Sequence, residues 1–116
     1  MLLPIPELVQ EIRSSVRCVT AEQAMREIAN NEGVLVDVRE PAEVDTQPAP
    51  LSVPIPRGVL EMKASVQFPN ANHPIYLHCA SGARATLAAE QLQRIGYQQV
   101  SVITCGIDNI CKSQRN

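Results

Sequence analysis

Ile75-Tyr76-Leu77-His78-Cys79-Ala80-Ser81-Gly82-Ala83-Arg84-Ala85 decides how this chain is read. The stretch begins as an apolar run of strand composition and ends by opening a helix-like segment that reaches Ile95, with a loop of small residues between. Such a loop lets consecutive backbone N–H groups turn inward, and Gly82 permits a backbone angle that side chains resist. The helix that follows points the positive end of its dipole at the group on Cys79. Helix N-termini and adjacent cations favour the thiolate, which is the reactive form of a cysteine. A nucleophilic Cys79 at the C-terminal end of a strand is therefore expected.

Working outward, Val34 to Val38 is an apolar run interrupted by Asp37, the pattern of a buried parallel strand with functional groups at its C-terminal end. Val16 to Val19 suits a short strand, and Thr20-Ala21-Glu22-Gln23 has the form of a capping box opening a helix that Asn30, Asn31 and Gly33 end. Pro6 starts a helix carrying Leu8, Val9 and Ile12, read as an arm over residues 1–15 ahead of a domain over 16–116. Four prolines between Asp45 and Pro56 predict a loop with at most an edge strand near Ser52 to Ile55. Gly58 to Val66 is expected to be a short helix, and Val100 to Ile103 the last strand. Strands and helices alternating at this length predict an α/β fold, with a central five-stranded mostly parallel sheet flanked by helices on both faces. Functional groups in such folds gather at the C-terminal ends of the strands.

With 116 residues the chain suits a single domain. A formal charge of −2, scattered Lys and Arg, and three aromatic residues exclude the usual nucleic-acid surface. The start, Met1-Leu2-Leu3-Pro4-Ile5-Pro6, has neither the basic residues nor the apolar length of a secretory signal, and no run approaches a membrane span. The cytoplasm is the expected location, with no membrane partner. Cys18, Cys79, Cys105 and Cys111 are then expected as free thiols. They form no Cys-x-x-Cys pair and have no clustered histidines, so no metal and no cofactor is expected.

Strand, Cys-Ala-Ser-Gly-Ala-Arg and helix together resemble the active-site loop of the rhodanese family of sulfurtransferases. Val34-Leu35-Val36-Asp37-Val38-Arg39-Glu40-Pro41-Ala42-Glu43 and Pro54-Ile55-Pro56-Arg57-Gly58-Val59-Leu60-Glu61 are similar to other segments of that family, and the likeness runs from about Val16 to Ile110. It implies a rhodanese-like domain in which a small donor leaves its outer sulfur on Cys79 as a persulfide, for removal by a thiol, cyanide or a protein acceptor. A monomer or weak dimer is expected.

The resemblance assigns Ala80, Ser81, Gly82, Ala83, Arg84 and Ala85 to the loop that binds the persulfide, and Asp37 and Arg39 to its support. Arg57 is a candidate for the site entrance or for a plain surface position. His78 next to Cys79 invites assignment as a base, but neighbours on a strand point to opposite faces, so a partly buried structural histidine is expected. Cys105 lies where the family has glycine, beside the strand bearing Cys79, and is a candidate resolving thiol; a buried replacement for glycine is the alternative.

The chain also departs from the family. Pro48-Ala49-Pro50-Leu51-Ser52-Val53 replaces a segment that carries Gly-His-Ile in relatives, Ala85 stands where Ser or Thr is common, and Ile110 replaces a tryptophan. Only one cation, Arg84, stands in the loop, which makes thiosulfate an assay donor more than a physiological one. Two rival readings accompany the enzyme. One is a sulfur-carrier or protein-binding module served by a partner. The other is a phosphatase, disfavoured because the related cell-cycle phosphatases place one residue more between cysteine and arginine than the four found here.

Overall fold

The computed structural model describes residues 1–115; the expected C-terminal boundary, Asn116, lies outside the described residues. In chain order the elements are α1 (Ile5–Arg13), β1 (Arg17–Val19), α2 (Ala21–Asn31), β2 (Val34–Asp37), α3 (Pro41–Thr46) and β3 (Val53–Pro54). A 3-10 turn, Arg57–Val59, leads into α4 (Leu60–Gln67), followed by β4 (Ile75–His78), α5 (Ala83–Arg94), β5 (Val100–Ile103) and α6 (Ile107–Ser113). The strands form one sheet in the order β1-β5-β4-β2-β3, and every pairing is parallel. The chain has an α/β fold, as its alternating pattern predicted.

Strand alternation divides the core into two layers. Val36, Val38, Ile75, Leu77 and Cys79 face one side, where Ile12 of α1, Leu60 and Ala64 of α4 and the stripe Ala85, Ala88, Ala89 and Leu92 of α5 cover them. Leu35, Tyr76 and Ile103 face the other, under Ala21 and Ala24 of α2 and Ile110 of α6. The small residues of the α5 stripe are wholly buried and let the helix lie close to β4 and β5. An interior packed to this density has little room for a larger side chain there.

Three local expectations need correction. Thr20 does accept the Gln23 N–H at 3.1 Å, but the Gln23 side chain turns to Glu27, so the box is only half made. The left-handed residue after α2 is Glu32 at φ 59°, not a glycine. Gly33 is needed for space instead, because a Cβ there would lie 2.9 Å from Tyr76 Cε1. The third correction is α3, a helix that runs into Asp45 and Thr46, where the prolines predicted loop; Pro41 at its first position and Glu43 two residues on are the signals that announce it.

The proline-rich segment is tied down by α6. Cys111 Sγ lies 3.3 Å from Pro48 O, Gln47 Nε2 donates to Asp108 Oδ1 at 2.7 Å, and Gln114 Oε1 accepts the Leu51 N–H at 3.0 Å. Gln114 Nε2 donates to Ser52 Oγ at 2.9 Å, and Ser52 Oγ lies 2.7 Å from His78 Nε2. His78 is wholly buried rather than partly so, with Nδ1 3.9 Å from Asp37 Oδ1 and without a hydrogen-bond partner. Asp37, His78 and Ser52 thus stand in the order of a hydrolase relay. Burial holds the imidazole pKa down to about 4, Asp37 is already engaged with Arg39, and Gln114 occupies the serine oxygen. This arrangement is a strut between the sheet and the C-terminal helix.

Because His78 binds its proton less readily when folded, the unfolded chain gains protons first as pH falls. Folding stability should therefore be intact above pH 6.5 and decline toward pH 4, with a loss of about 2 kcal/mol by pH 5. Thermal melts of the wild type and His78→Gln across pH 7 to 5 measure this, and the variant should show a clearly shallower decline.

Candidate active site

Cys79 follows β4 immediately and is almost fully buried, its side chain on the layer shared with α5. Two backbone N–H groups converge on its sulfur, Gly82 at 3.1 Å and Ala85 at 3.4 Å. Gly82 caps α5 at φ 100°, a left-handed angle that turns the chain back over the sulfur and starts the helix. Ala83 and Arg84 are consequently the first residues of α5, and Ser81 is exposed at the loop's tip. On the far side the first N–H of α6, from Ile107, donates to Ala80 O at 3.0 Å. The C-terminal helix therefore bears on the loop as well as on stability.

Arg84 is held by a residue that sequence reasoning missed. Glu43 of α3 receives its Nη1 at 2.6 Å and Nη2 at 2.8 Å, a two-point guanidinium–carboxylate pair, and Oε1 also accepts the Glu40 N–H at 3.0 Å. The Arg84 hydrogen bonds, followed by the Glu40 amide, push the Glu43 carboxyl down to about 2. Glu43 in turn raises the arginine pKa above its ordinary value, and the Cys79 sulfur adds a smaller pull in the same direction. The signal that could have found Glu43 is Glu40-Pro41-Ala42-Glu43, the start of a helix whose third position is acidic.

Asp37 and Arg39 form a buried ion pair, with Arg39 Nε 3.0 Å from Oδ1 and Nη2 2.7 Å from Oδ2. Arg39 also donates to Gln47 O at 2.9 Å and Glu43 O at 3.4 Å, so it holds the middle and the C-terminal cap of α3. These two residues reach the loop indirectly, by seating the helix that carries Glu43. A cleft of about 410 Å³ opens between α3 and α6, lined by Arg39, Ala42, Glu43, Thr46, Gln47, Ala80 and Ile107. It borders Ala80, the residue next to Cys79.

Two other candidates lie elsewhere. Arg57 pairs with Glu61 one turn along, at 3.0 Å, while its own N–H donates to Val38 O. Cys105 Sγ accepts the Ala21 N–H at the start of α2, at 3.3 Å, and packs with the second core layer. Cys79 belongs to the first layer, so the structure does not bring the two thiols together. All four cysteines are free.

Residues 20–113 match the family described as Rhodanese-like domain. A protein described as a sulfur carrier, YrkF of Bacillus subtilis, is 31% identical over 98 residues, which is 84% of this chain and 52% of that one. The chain thus spans about half the length of that relative. A sulfurtransferase of Allochromatium vinosum is 30% identical over 90 residues, 77% of this chain and 82% of its own length. Among solved structures, a Rhodopseudomonas palustris protein of unknown function, with tyrosine phosphatase suggested in its description, superposes with a TM-score of 0.79 at 27% identity. That alignment covers 97% of this chain and 92% of the other. With the loop, the parallel sheet and a match extending from α2 to the end of α6, this chain belongs to the rhodanese-like domain family.

Proposed function

We propose that the protein is a sulfurtransferase that carries sulfane sulfur on Cys79 as a persulfide. The observation that carries the reading is the convergence of the Gly82 and Ala85 N–H groups on a buried sulfur, at the N-terminus of α5 and beside Arg84. The Cys79 thiolate attacks the outer sulfur of a donor such as thiosulfate. A new S–S bond forms, the bond to the sulfonyl sulfur breaks, and sulfite leaves with the electron pair. Cyanide or a thiolate then attacks the terminal sulfur of the persulfide, forming thiocyanate or a new persulfide and returning the Cys79 thiolate. Backbone N–H groups and the helix dipole stabilise the negative sulfur both before and after transfer, without losing hydration at the moment of reaction.

The cleft beside Ala80 offers an acceptor a route to the loop, and its volume suits a small thiol or a protein cysteine on an extended segment. A partner-served carrier is the second reading, favoured by the likeness to YrkF. Phosphatase chemistry is disfavoured by the short loop, whose N–H groups close at 3.1 and 3.4 Å on a single sulfur atom. A reducing compartment such as the cytoplasm suits a chain whose four cysteines are all thiols.

Incubation with thiosulfate, removal of excess donor and intact-mass measurement should show one added sulfur that peptide mapping puts on Cys79, that cyanide discharges, and that Cys79→Ser lacks. Failure to load from thiosulfate, with loading from a persulfidated protein donor, would favour the carrier. Glu43→Ala should slow sulfur loading about tenfold by releasing Arg84. The same change should shift unfolding free energy by no more than about 1 kcal/mol, since the pair is one-third exposed. Stopped-flow loading rates compared with denaturant melts separate the two effects.

A further inference from the structure

The loop has a second cation, and it comes from outside the residues that match the family. Arg13 is the last residue of α1, an amphipathic helix seated by Val9 and Ile12. Its Nε donates to Thr86 Oγ1 at 3.2 Å, and Thr86 Oγ1 donates to Gly82 O at 2.8 Å. Its Nη2 lies 2.6 Å from the position that a Cβ on Gly82 would take. The guanidinium therefore closes on the backbone of the residue whose N–H holds Cys79 Sγ.

Two features make this contact more than packing. The N-terminus of α5 is already positive, so placing a guanidinium against it is unfavourable unless an anion joins them. The two loop cations also differ in how their charge is balanced. Arg84 faces the Glu43 carboxylate at 2.6 Å, whereas among the described residues Arg13 has no carboxylate partner. Apart from the C-terminal dipole of its own helix, Arg13 has no ion-pair partner at the loop among the described residues.

We propose that Arg13 is a specificity-determining residue that draws anionic sulfur donors, such as the thiosulfate dianion, to the Cys79 loop. The proposal rests on the sulfurtransferase reading for its substrate, though not for its electrostatics. A dianion approaching a thiolate meets like-charge repulsion, and the Arg13 charge offsets it during encounter. Arg13 touches neither the sulfur nor the donor's reacting atoms, and its effect falls on binding of the donor more than on turnover.

The test uses two alkylating agents of nearly equal shape, the iodoacetate anion and neutral iodoacetamide, with reaction at Cys79 followed by peptide mass mapping. Arg13→Gln should slow iodoacetate about fivefold and change iodoacetamide by less than about twofold, Arg13→Lys should restore the anion rate, and added salt should selectively slow the anion on the wild type. Wild-type salt dependence retains the test if the Gln variant folds poorly. Equal slowing of both reagents, no change in either, or no reaction of Cys79 with either would overturn the proposal. With thiosulfate, Arg13→Gln should raise the concentration for half-maximal loading about fivefold while leaving the limiting rate within about twofold. A charge-dependent alkylation ratio in a wild type that no sulfur donor loads would retain the role of Arg13 and reject the sulfurtransferase reading.

Discussion

The Asp37–Arg39 ion pair is the contact on which the geometry of the loop depends. Both side chains are almost wholly buried, so neither charge can be stranded without a large penalty; removing one partner of such a pair costs about 3–5 kcal/mol. Arg39 uses its remaining donors on the carbonyls of Glu43 and Gln47, which seats α3 against the end of β2. From α3, Glu43 reaches across to Arg84 in the first turn of α5. A carboxylate at the end of one strand thus determines where the arginine stands after the neighbouring strand. The parallel register that puts Asp37 opposite His78 makes this connection short.

The sulfur cradle itself is made almost entirely of backbone. Gly82 and Ala85 supply N–H groups, the start of α5 supplies its dipole, and the Arg84 guanidinium beside them is paired with Glu43. Such an environment stabilises a negative sulfur without presenting a general base, which fits group transfer between sulfur atoms better than proton abstraction. His78, adjacent in sequence, stays on the opposite side of β4 and binds Ser52. Its position shows how a residue next to Cys79 in the chain can serve the packing of the sheet alone.

Much of this was legible from particular residues. The run Ile75 to Ala85 identified strand, loop, glycine turn and helix in order, because each step has a local cause in apolar content, small side chains or helix capping. The apolar run of Val34 to Val38 identified a buried parallel strand, and Val100 to Ile103 the last strand. Less legible were α3, whose few turns lack an apolar stripe, and Glu43, whose partner lies far along the chain. Arg13 was hidden for a related reason, since an arginine ending an amphipathic helix is normally a solvated cation that complements the helix dipole.

The sequence by itself determined the fold class and a loop suited to a nucleophilic cysteine, since both follow from hydrophobic period and from backbone preferences acting over a few residues. Only the tertiary structure decided how the charges around that loop are paired. It gave Arg84 to Glu43, brought Arg13 against Gly82, and turned Cys105 toward the start of α2. Those outcomes depend on which helices pack beside which strand ends, and a charged side chain finds its partner by distance in space, which spacing along the chain does not encode.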